Sequence, residues 1–255
     1  AISMHSGLSF ADDTEIYLTR DLPADQRVRP NIMFVIDTSG SMQSGVPGTN
    51  CKSLVVPYAS VPRDNCTSTT MPLNRNNGTL TRMQVVKQVV NQLVDELAIS
   101  NDSNIGLARF DSNNNGGFIN VPIAQAGTVA ANFKNQLTSY YASGGTPLLE
   151  SYHEAARYMR GETPLYGNNS RGLIQNGTGS TTINPWRSAP AAYTGSSYKS
   201  PIENSCQKSN IIVLTDGLPN GDVGSNSTIA ALTAGKNTLY TSCNRNYPTD
   251  GAALD

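Results

Sequence analysis

The chain has 255 residues, of which 38% are hydrophobic and only 15% are charged, and its formal net charge is −1. A chain of this size can bury a full core, and its charge excludes a general electrostatic attraction to nucleic acid or to an anionic membrane. No apolar run reaches the ~20 residues that span a bilayer, and the first ten residues lack the basic start and apolar centre of a signal peptide. We therefore expect one domain with no nucleic-acid partner and no membrane span, and a mature chain if the protein is secreted.

The first half of the chain predicts four elements. Residues 1–30 contain one alternating run, TEIYLTR, followed by two prolines, which predicts an arm or an edge strand. Residues 32–36 are continuously apolar, which is typical of a strand buried on both faces of a parallel sheet. Residues 81–98 place their apolar side chains along one stripe and predict a helix. Residues 104–123 carry two strand-like runs around an Asn/Gly-rich turn and predict a β-hairpin.

The second half predicts two helices and a strand. Apolar residues at helical spacing over 129–137 indicate a short helix. A further helix should begin at Thr146, a good N-cap residue, because Pro147 suits the first helical position, and it should end near Gly161. Residues 210–215 repeat the continuous apolar pattern and predict a second buried strand.

Strands that alternate with helices predict an α/β, doubly wound fold with a mostly parallel central sheet and helices on both faces. Two segments, 43–80 and 161–209, are rich in Pro, Gly, Ser, Asn and Thr and lack sustained periodicity. They are therefore expected to be long surface insertions rather than core elements. The predicted organisation is an N-terminal arm or edge strand over 1–30 and one domain over 31–255.

The even number of cysteines favours disulfide bonds in an oxidising compartment, although four free thiols in a cytosolic protein remain an alternative. Four cysteines allow three pairings. A bridge between Cys51 and Cys66 would staple a segment without its own core, which leaves Cys206 to pair with Cys243.

Side chains that end in hard oxygen follow the two buried strands and precede the third helix. They are Asp37, Ser39, Ser41, Thr146 and Asp216. Ligand sites of open parallel sheets gather at the carboxyl ends of strands, where these residues are expected to meet. Mg²⁺ prefers about six oxygen ligands and retains waters where a site offers few carboxylates. The set therefore predicts a divalent-cation site, with Mg²⁺ as the first expectation and Ca²⁺ or Mn²⁺ as alternatives.

In order and in element type, the motifs DTSGSM, GGTPL and LTDG resemble those of the metal-ion-dependent adhesion site of von Willebrand factor type A domains. The resemblance covers 31–255 apart from the two insertions. It implies a Rossmann-like fold in which Asp37, Ser39, Ser41, Thr146 and Asp216 hold one cation. It also implies an open coordination position that a partner's carboxylate completes. The function that the resemblance implies is therefore binding rather than catalysis.

A closer resemblance is to the PilC/PilY family of type IV pilus tip-associated adhesins of Gram-negative bacteria. It rests on DTSGSM before a long insertion, on CQKSNIIVLTDGLPN, on DGAALD and on DDTEIYL. The resemblance implies export through the periplasm to a pilus tip, with minor pilins and a host-surface or extracellular protein as partners. It also implies roles in pilus assembly, attachment, twitching motility and surface sensing. Because that family continues past DGAALD with a helix and a strand, the chain is expected to be a C-terminally truncated piece or to close its sheet differently.

Five alternatives compete with this interpretation. Asp37 could simply hydrogen-bond its own loop, as Asp commonly does beside Ser and Gly. An aspartic protease is disfavoured because Gly-Leu, not Thr-Gly, follows Asp216. A metal-dependent hydrolase is a further alternative, less favoured than a binding module. Residues 111–117 match the start of an EF-hand loop, but Pro122 replaces the bidentate Glu. A structural assembly factor, which would dock minor pilins while the cation only stabilises loops, is the main rival function.

Overall fold

The structure is a computed structural model that describes residues 28–47, 80–112, 116–175, 181–185, 187–217, 219–220 and 227. Its helices are α1 (Arg82–Ser100), α2 (Ala126–Ser139) and α3 (Leu148–Arg160), together with short 3-10 helices at Gly40–Gln43 and Pro190–Ala192. Its strands are β1 (Asn31–Ile36), β2 (Asn104–Phe110), β3 (Gly117–Gln125), β4 (Arg171–Gln175), β5 (Thr181–Pro185), β6 (Tyr193–Thr194), β7 (Ser197–Tyr198) and β8 (Ser209–Leu214).

The central sheet has four strands in the order β3-β2-β1-β8. Strand β1 pairs in parallel with both β2 and β8, whereas β2 and β3 pair antiparallel. The predicted hairpin and both predicted strands are therefore confirmed, and the described sheet is mixed. The prediction that both strands are buried holds for β1 but is wrong for β8, whose residues are half-buried or exposed at the edge of the described sheet. Strand β1 is continuously apolar because strands flank it on both edges and helices cover it on both faces.

Alternate side chains of β1 point to opposite faces of the sheet and enter two separate cores. Phe34 and Ile36 pack with buried residues of α1 and α2, and the Phe34 ring meets the Phe133 ring edge-on with centroids 5.6 Å apart. Met33 and Val35 pack with buried residues of α3. The described part of the chain is thus an α/β fold with helices against both faces of the sheet.

The first and third helices begin differently. Helix α1 has a complete capping box: Thr81 accepts from the Gln84 backbone N–H, and the Gln84 side chain accepts from the Thr81 N–H. Helix α3 lacks such a cap, and the predicted N-cap role of Thr146 is wrong. Pro147 holds the N-cap position with a non-helical ψ of 65°, because the Leu148 N–H bonds the Thr146 carbonyl in a tight turn before the helix starts. The predicted end at Gly161, in the left-handed conformation, is confirmed.

The prediction that 161–209 is only a surface insertion is wrong. This segment forms the β4–β5 and β6–β7 ladders and contributes Ala192 and Tyr198 to the core beneath α3. Its anchor is the fully buried Glu154, whose carboxylate accepts hydrogen bonds from three consecutive backbone N–H groups, of residues 165–167, and from the Tyr198 hydroxyl. Polar groups organise this region, so its sequence shows no hydrophobic period.

The base of the other predicted insertion is a narrow neck. Gly45 and Thr81 form an isolated antiparallel bridge, and the Val46 N–H donates to the Leu80 carbonyl at 2.8 Å. The chain therefore leaves at 47 and returns at 80 in adjacent positions. Residues 48–79 themselves lie outside the described residues.

Several predictions fall outside the described part of the chain. They concern the arm over 1–27 and Cys51, Cys66 and Cys243. Cys206 is exposed, and its pairing with Cys243, which lies outside the described residues, stays a prediction. At the EF-hand-like stretch, the Asp111 carboxylate accepts from the Arg171 N–H at 2.6 Å. Within the described ranges, no helix is both long and apolar enough to cross a bilayer.

Candidate metal centre

Asp37 and Asp216 follow neighbouring parallel strands. Ile36, the last residue of β1, is in register with Leu214, the last residue of β8. The Asp37 N–H continues this ladder by donating to the Leu214 carbonyl at 2.9 Å. The Thr215 hydroxyl donates to Asp37 Oδ2 at 2.7 Å, so both strand ends turn into one site.

Hydrogen bonds link four of the five predicted ligands, and three side-chain oxygens among them, Ser39 Oγ, Ser41 Oγ and Asp216 Oδ1, form an oxygen chain. Asp37 Oδ1 accepts from the Ser39 N–H at 2.7 Å, the two serine hydroxyl oxygens are 2.8 Å apart, and the Ser41 hydroxyl donates to Asp216 Oδ1 at 2.8 Å. A 3-10 helix begins immediately after Ser39 and turns Ser41 back toward Ser39 and Asp216. The structure therefore brings together Asp37, Ser39, Ser41 and Asp216.

Backbone contacts connect the loop of Thr146 to the segment that follows β1. The Ser143 N–H donates to the Thr38 carbonyl at 2.7 Å, and the Gly40 N–H donates to the Gly144 carbonyl at 2.9 Å. Beyond the site, the Asn220 N–H donates to the Thr146 carbonyl at 3.2 Å. The described hydrogen bonds of Thr146 thus involve its backbone, and its side chain is not engaged in capping α3.

Buried cationic and polar side chains hold the preceding part of this loop. Lys87 Nζ donates to the Tyr140 carbonyl at 2.6 Å, Arg109 Nη2 donates to the Tyr141 carbonyl at 3.4 Å, and Gln43 donates to the Ala142 carbonyl. Burial, with a contribution from the Arg109 charge, lowers the pKa of Lys87 to about 7. Burial also lowers the pKa of Arg109 to about 10, against the opposing influence of Tyr140 and Asp111.

A glycine is required in the same loop. Gly144 has φ +92°, and a Cβ there would lie 2.3 Å from the Ser112 carbonyl oxygen. Only a residue without a side chain can therefore bring the loop this close to the end of β2. This close approach fixes the path of the chain toward Thr146.

The donor set suits a small hard cation. Oxygens at adjacent corners of a Mg²⁺ octahedron lie about 3.0 Å apart when the bonds are near 2.1 Å, and the oxygen chain has spacings of 2.8 Å. Asp37 is fully buried, and its described partners, a backbone N–H and a hydroxyl, are neutral. A buried carboxylate is costly without a compensating charge, so a cation at this position would stabilise it.

The described residues of the candidate site do not include a group of three or more His, Cys, Asp or Glu ligands, as many protein metal sites do. Among the described residues, no group of three or more His, Cys, Asp or Glu side chains is placed to hold a metal. The candidate site instead combines two carboxylates with hydroxyls, a set that leaves positions for water or for an outside ligand.

Two site residues escaped the sequence analysis. Thr215 orients Asp37, and Arg82 Nη1 lies 2.6 Å from Asp216 Oδ2. The signal for Arg82 was its position in the first turn of a helix, where a positive charge opposes the helix dipole. Thr215, between β8 and Asp216, carried no comparable signal.

Comparisons with known proteins do not assign the chain to a family. No protein-family model matches the chain, and no curated protein matches it. One similar solved structure is described as an uncharacterized membrane spanning protein from Vibrio fischeri, with 20% identity and a TM-score of 0.32 over 50% of this chain and 48% of that one. Another is the D319A mutant of the PilB minor pilin from Streptococcus sanguinis, with 12% identity and a TM-score of 0.39 over 80% of this chain and 54% of that one. The chain thus spans about half the length of each.

Proposed function

We propose that the protein is a non-enzymatic binding module that recognises an acidic partner group through one divalent cation. The observation that carries the proposal is the run of hydrogen bonds from Asp37 to the Ser39 N–H at 2.7 Å, and from the Ser39 hydroxyl through the Ser41 hydroxyl to Asp216 with oxygen spacings of 2.8 Å. Thr146, whose loop is hydrogen-bonded to the segment that follows β1, is the fifth proposed ligand. Mg²⁺ is the expected cation, with Ca²⁺ or Mn²⁺ as alternatives.

The residues have separate tasks in this proposal. Asp37 is fixed from both sides, by the Ser39 N–H and by the Thr215 hydroxyl, so its carboxylate cannot turn away. The hydroxyls of Ser39 and Ser41 supply neutral oxygens, which bind a cation without cancelling its charge. When bound, the cation would supply a positive charge that attracts a partner's Asp or Glu side chain.

The finer classification is also a proposal. The motifs DTSGSM, GGTPL and LTDG support a doubly wound von Willebrand factor type A domain, and the hydrogen bonds between the ends of β1 and β8 support it as well. The longer motifs support a secreted pilus-tip adhesin of the PilC/PilY type, with minor pilins and an extracellular or host-surface protein as partners. The described α/β sheet with helices on both faces is compatible with this class.

Calorimetric titration with Mg²⁺ tests the proposal. The wild type should bind one ion per chain, and Asp37→Ala should abolish binding. Asp37→Asn, which keeps the shape and the acceptor for the Ser39 N–H, should do the same because it removes the charge. Asp102→Ala, which changes an exposed carboxylate between α1 and β2, is the matched control and should bind normally. Unchanged binding in both Asp37 variants would refute the site.

The rival functions predict other results. An assembly factor would keep its affinity for minor pilins in Asp37→Ala and lose it when residues 1–30 are deleted. A metal-dependent hydrolase would release product from phosphoester or peptide substrates in the presence of Mg²⁺. The proposed module instead binds its partner only with the cation and turns over neither substrate.

A further inference from the structure

Arg82 contacts the candidate metal centre directly. Its Nη1 lies 2.6 Å from Asp216 Oδ2, and the other oxygen of that carboxylate accepts from the Ser41 hydroxyl at 2.8 Å. The Asp216 side chain is only 7% exposed, whereas the Arg82 side chain is 42% exposed. One of the two carboxylates proposed to bind the cation is therefore already paired with a fixed positive charge.

The position of Arg82 is not explained by the stability of its own helix. Arg82 is the first residue of α1, whose N-terminal N–H groups already make a partial positive charge that disfavours a cation. Thr81 and Gln84 complete the cap without any contribution from the Arg82 side chain. An ion pair with a partly exposed arginine adds little to stability. A residue that opposes its local structure in this way is more often placed for function.

The backbone holds Arg82 at the site. Its N–H donates to the Ser44 carbonyl at 3.0 Å, and the Ser44 N–H donates to the Ser41 carbonyl at 2.9 Å. Arg82 is thus separated from the proposed ligand Ser41 by two hydrogen bonds. The backbone of the loop around Ser41 is thus tied to the first residue of α1.

We propose that Arg82 is a built-in counter-charge that sets the affinity of the site for its cation. This inference rests on the proposed function. Asp37 and Asp216 contribute two negative charges and Arg82 one positive charge, so the site without metal carries a net charge of −1. A divalent cation brings the total to +1, whereas without Arg82 the total would be zero. Arg82 therefore weakens cation binding and leaves the loaded site positive, which favours an anionic partner group.

Metal titration of Arg82→Gln and Arg82→Lys tests the inference, with Mg²⁺ and Mn²⁺ alone as probes. Glutamine can still donate a hydrogen bond to Asp216 but carries no charge, and it should bind both ions about tenfold more tightly. Lysine keeps the charge and should bind like the wild type. The difference between Arg82→Gln and wild type should shrink as NaCl is raised, because salt screens a partly exposed charge.

Arg160→Gln is the matched control. Arg160 is also 42% exposed and also pairs with a carboxylate, that of Glu162, but it lies at the far end of α3 from Thr146. This variant should bind metal like the wild type. Unchanged or weaker binding in Arg82→Gln, with wild-type binding still abolished by Asp37→Ala, would overturn the role of Arg82 alone. No binding in any variant or in the wild type would overturn the metal site and the inference together.

Discussion

Glu154→Ala should destabilise the protein by about 3–5 kcal/mol, because it removes the acceptor around which the 161–209 segment is organised. The Glu154 carboxylate accepts from the Tyr166 N–H at 3.0 Å, the Gly167 N–H at 2.9 Å and the Tyr198 hydroxyl at 2.6 Å, and it also bonds the Leu165 N–H. Each buried donor left without a partner costs about 1–3 kcal/mol, and rearrangement or water recovers part of the sum. Urea unfolding, followed by circular dichroism, measures the loss.

Glu162→Ala provides the comparison for this experiment. Glu162 pairs with Arg157 and Arg160 at the surface end of the same helix, and such pairs contribute about 1 kcal/mol or less. We expect a small change in the urea midpoint for Glu162→Ala and a large one for Glu154→Ala. A loss below about 1 kcal/mol for Glu154→Ala would refute the conclusion that a buried carboxylate anchors this segment.

Three further experiments address the loop that carries Thr146. The pKa of Lys87 is about 7 in the folded chain and its ordinary value is 10.5, so between these pH values the unfolded chain binds more protons than the folded chain. Wild-type stability should therefore rise from pH 7.5 to 9.5, and Lys87→Met should remove this pH dependence. Urea midpoints across that range measure the slope, and an equal slope in the variant would contradict the assignment to Lys87. Gly144→Ala should lower stability by at least about 2 kcal/mol in the same assay, because its Cβ would meet the Ser112 carbonyl at a positive φ; a stable variant would count against the described loop path. Thr146→Val should weaken Mg²⁺ binding about tenfold in calorimetry while the melting temperature stays nearly constant, and normal affinity would remove Thr146 from the proposed ligands.

The central elements could be predicted from the sequence because their hydrophobic patterns have simple causes. Strand β1 is covered on both faces, so residues 32–36 are all apolar, and α1 buries one face, so its apolar residues form a stripe. Two of the five proposed ligands follow strands of the central sheet, and the register of β1 with β8 makes their meeting a consequence of strand order.

Other features depend on contacts between distant residues, which local patterns do not reveal. Thr146 and Pro147 are good residues for a helix start, yet the tight turn at Thr146 delays α3 to Leu148. The order of the 161–209 segment depends on Glu154, a single residue in another element. The contact of Arg82 with Asp216 joins positions 134 residues apart, and only the folded chain brings them together.

Because Gly45 and Thr81 pair at the neck, the length of the segment over 48–79 does not affect the positions of the proposed ligands. Because the chain leaves and returns at paired residues, lengthening that segment adds only a small loop-closure entropy and does not strain Ser41 or Arg82. The segment over 48–79 could therefore change in length or sequence while the proposed ligands keep their positions. For protein engineering, residues 47 and 80 are therefore the natural junctions at which a foreign binding loop could be grafted.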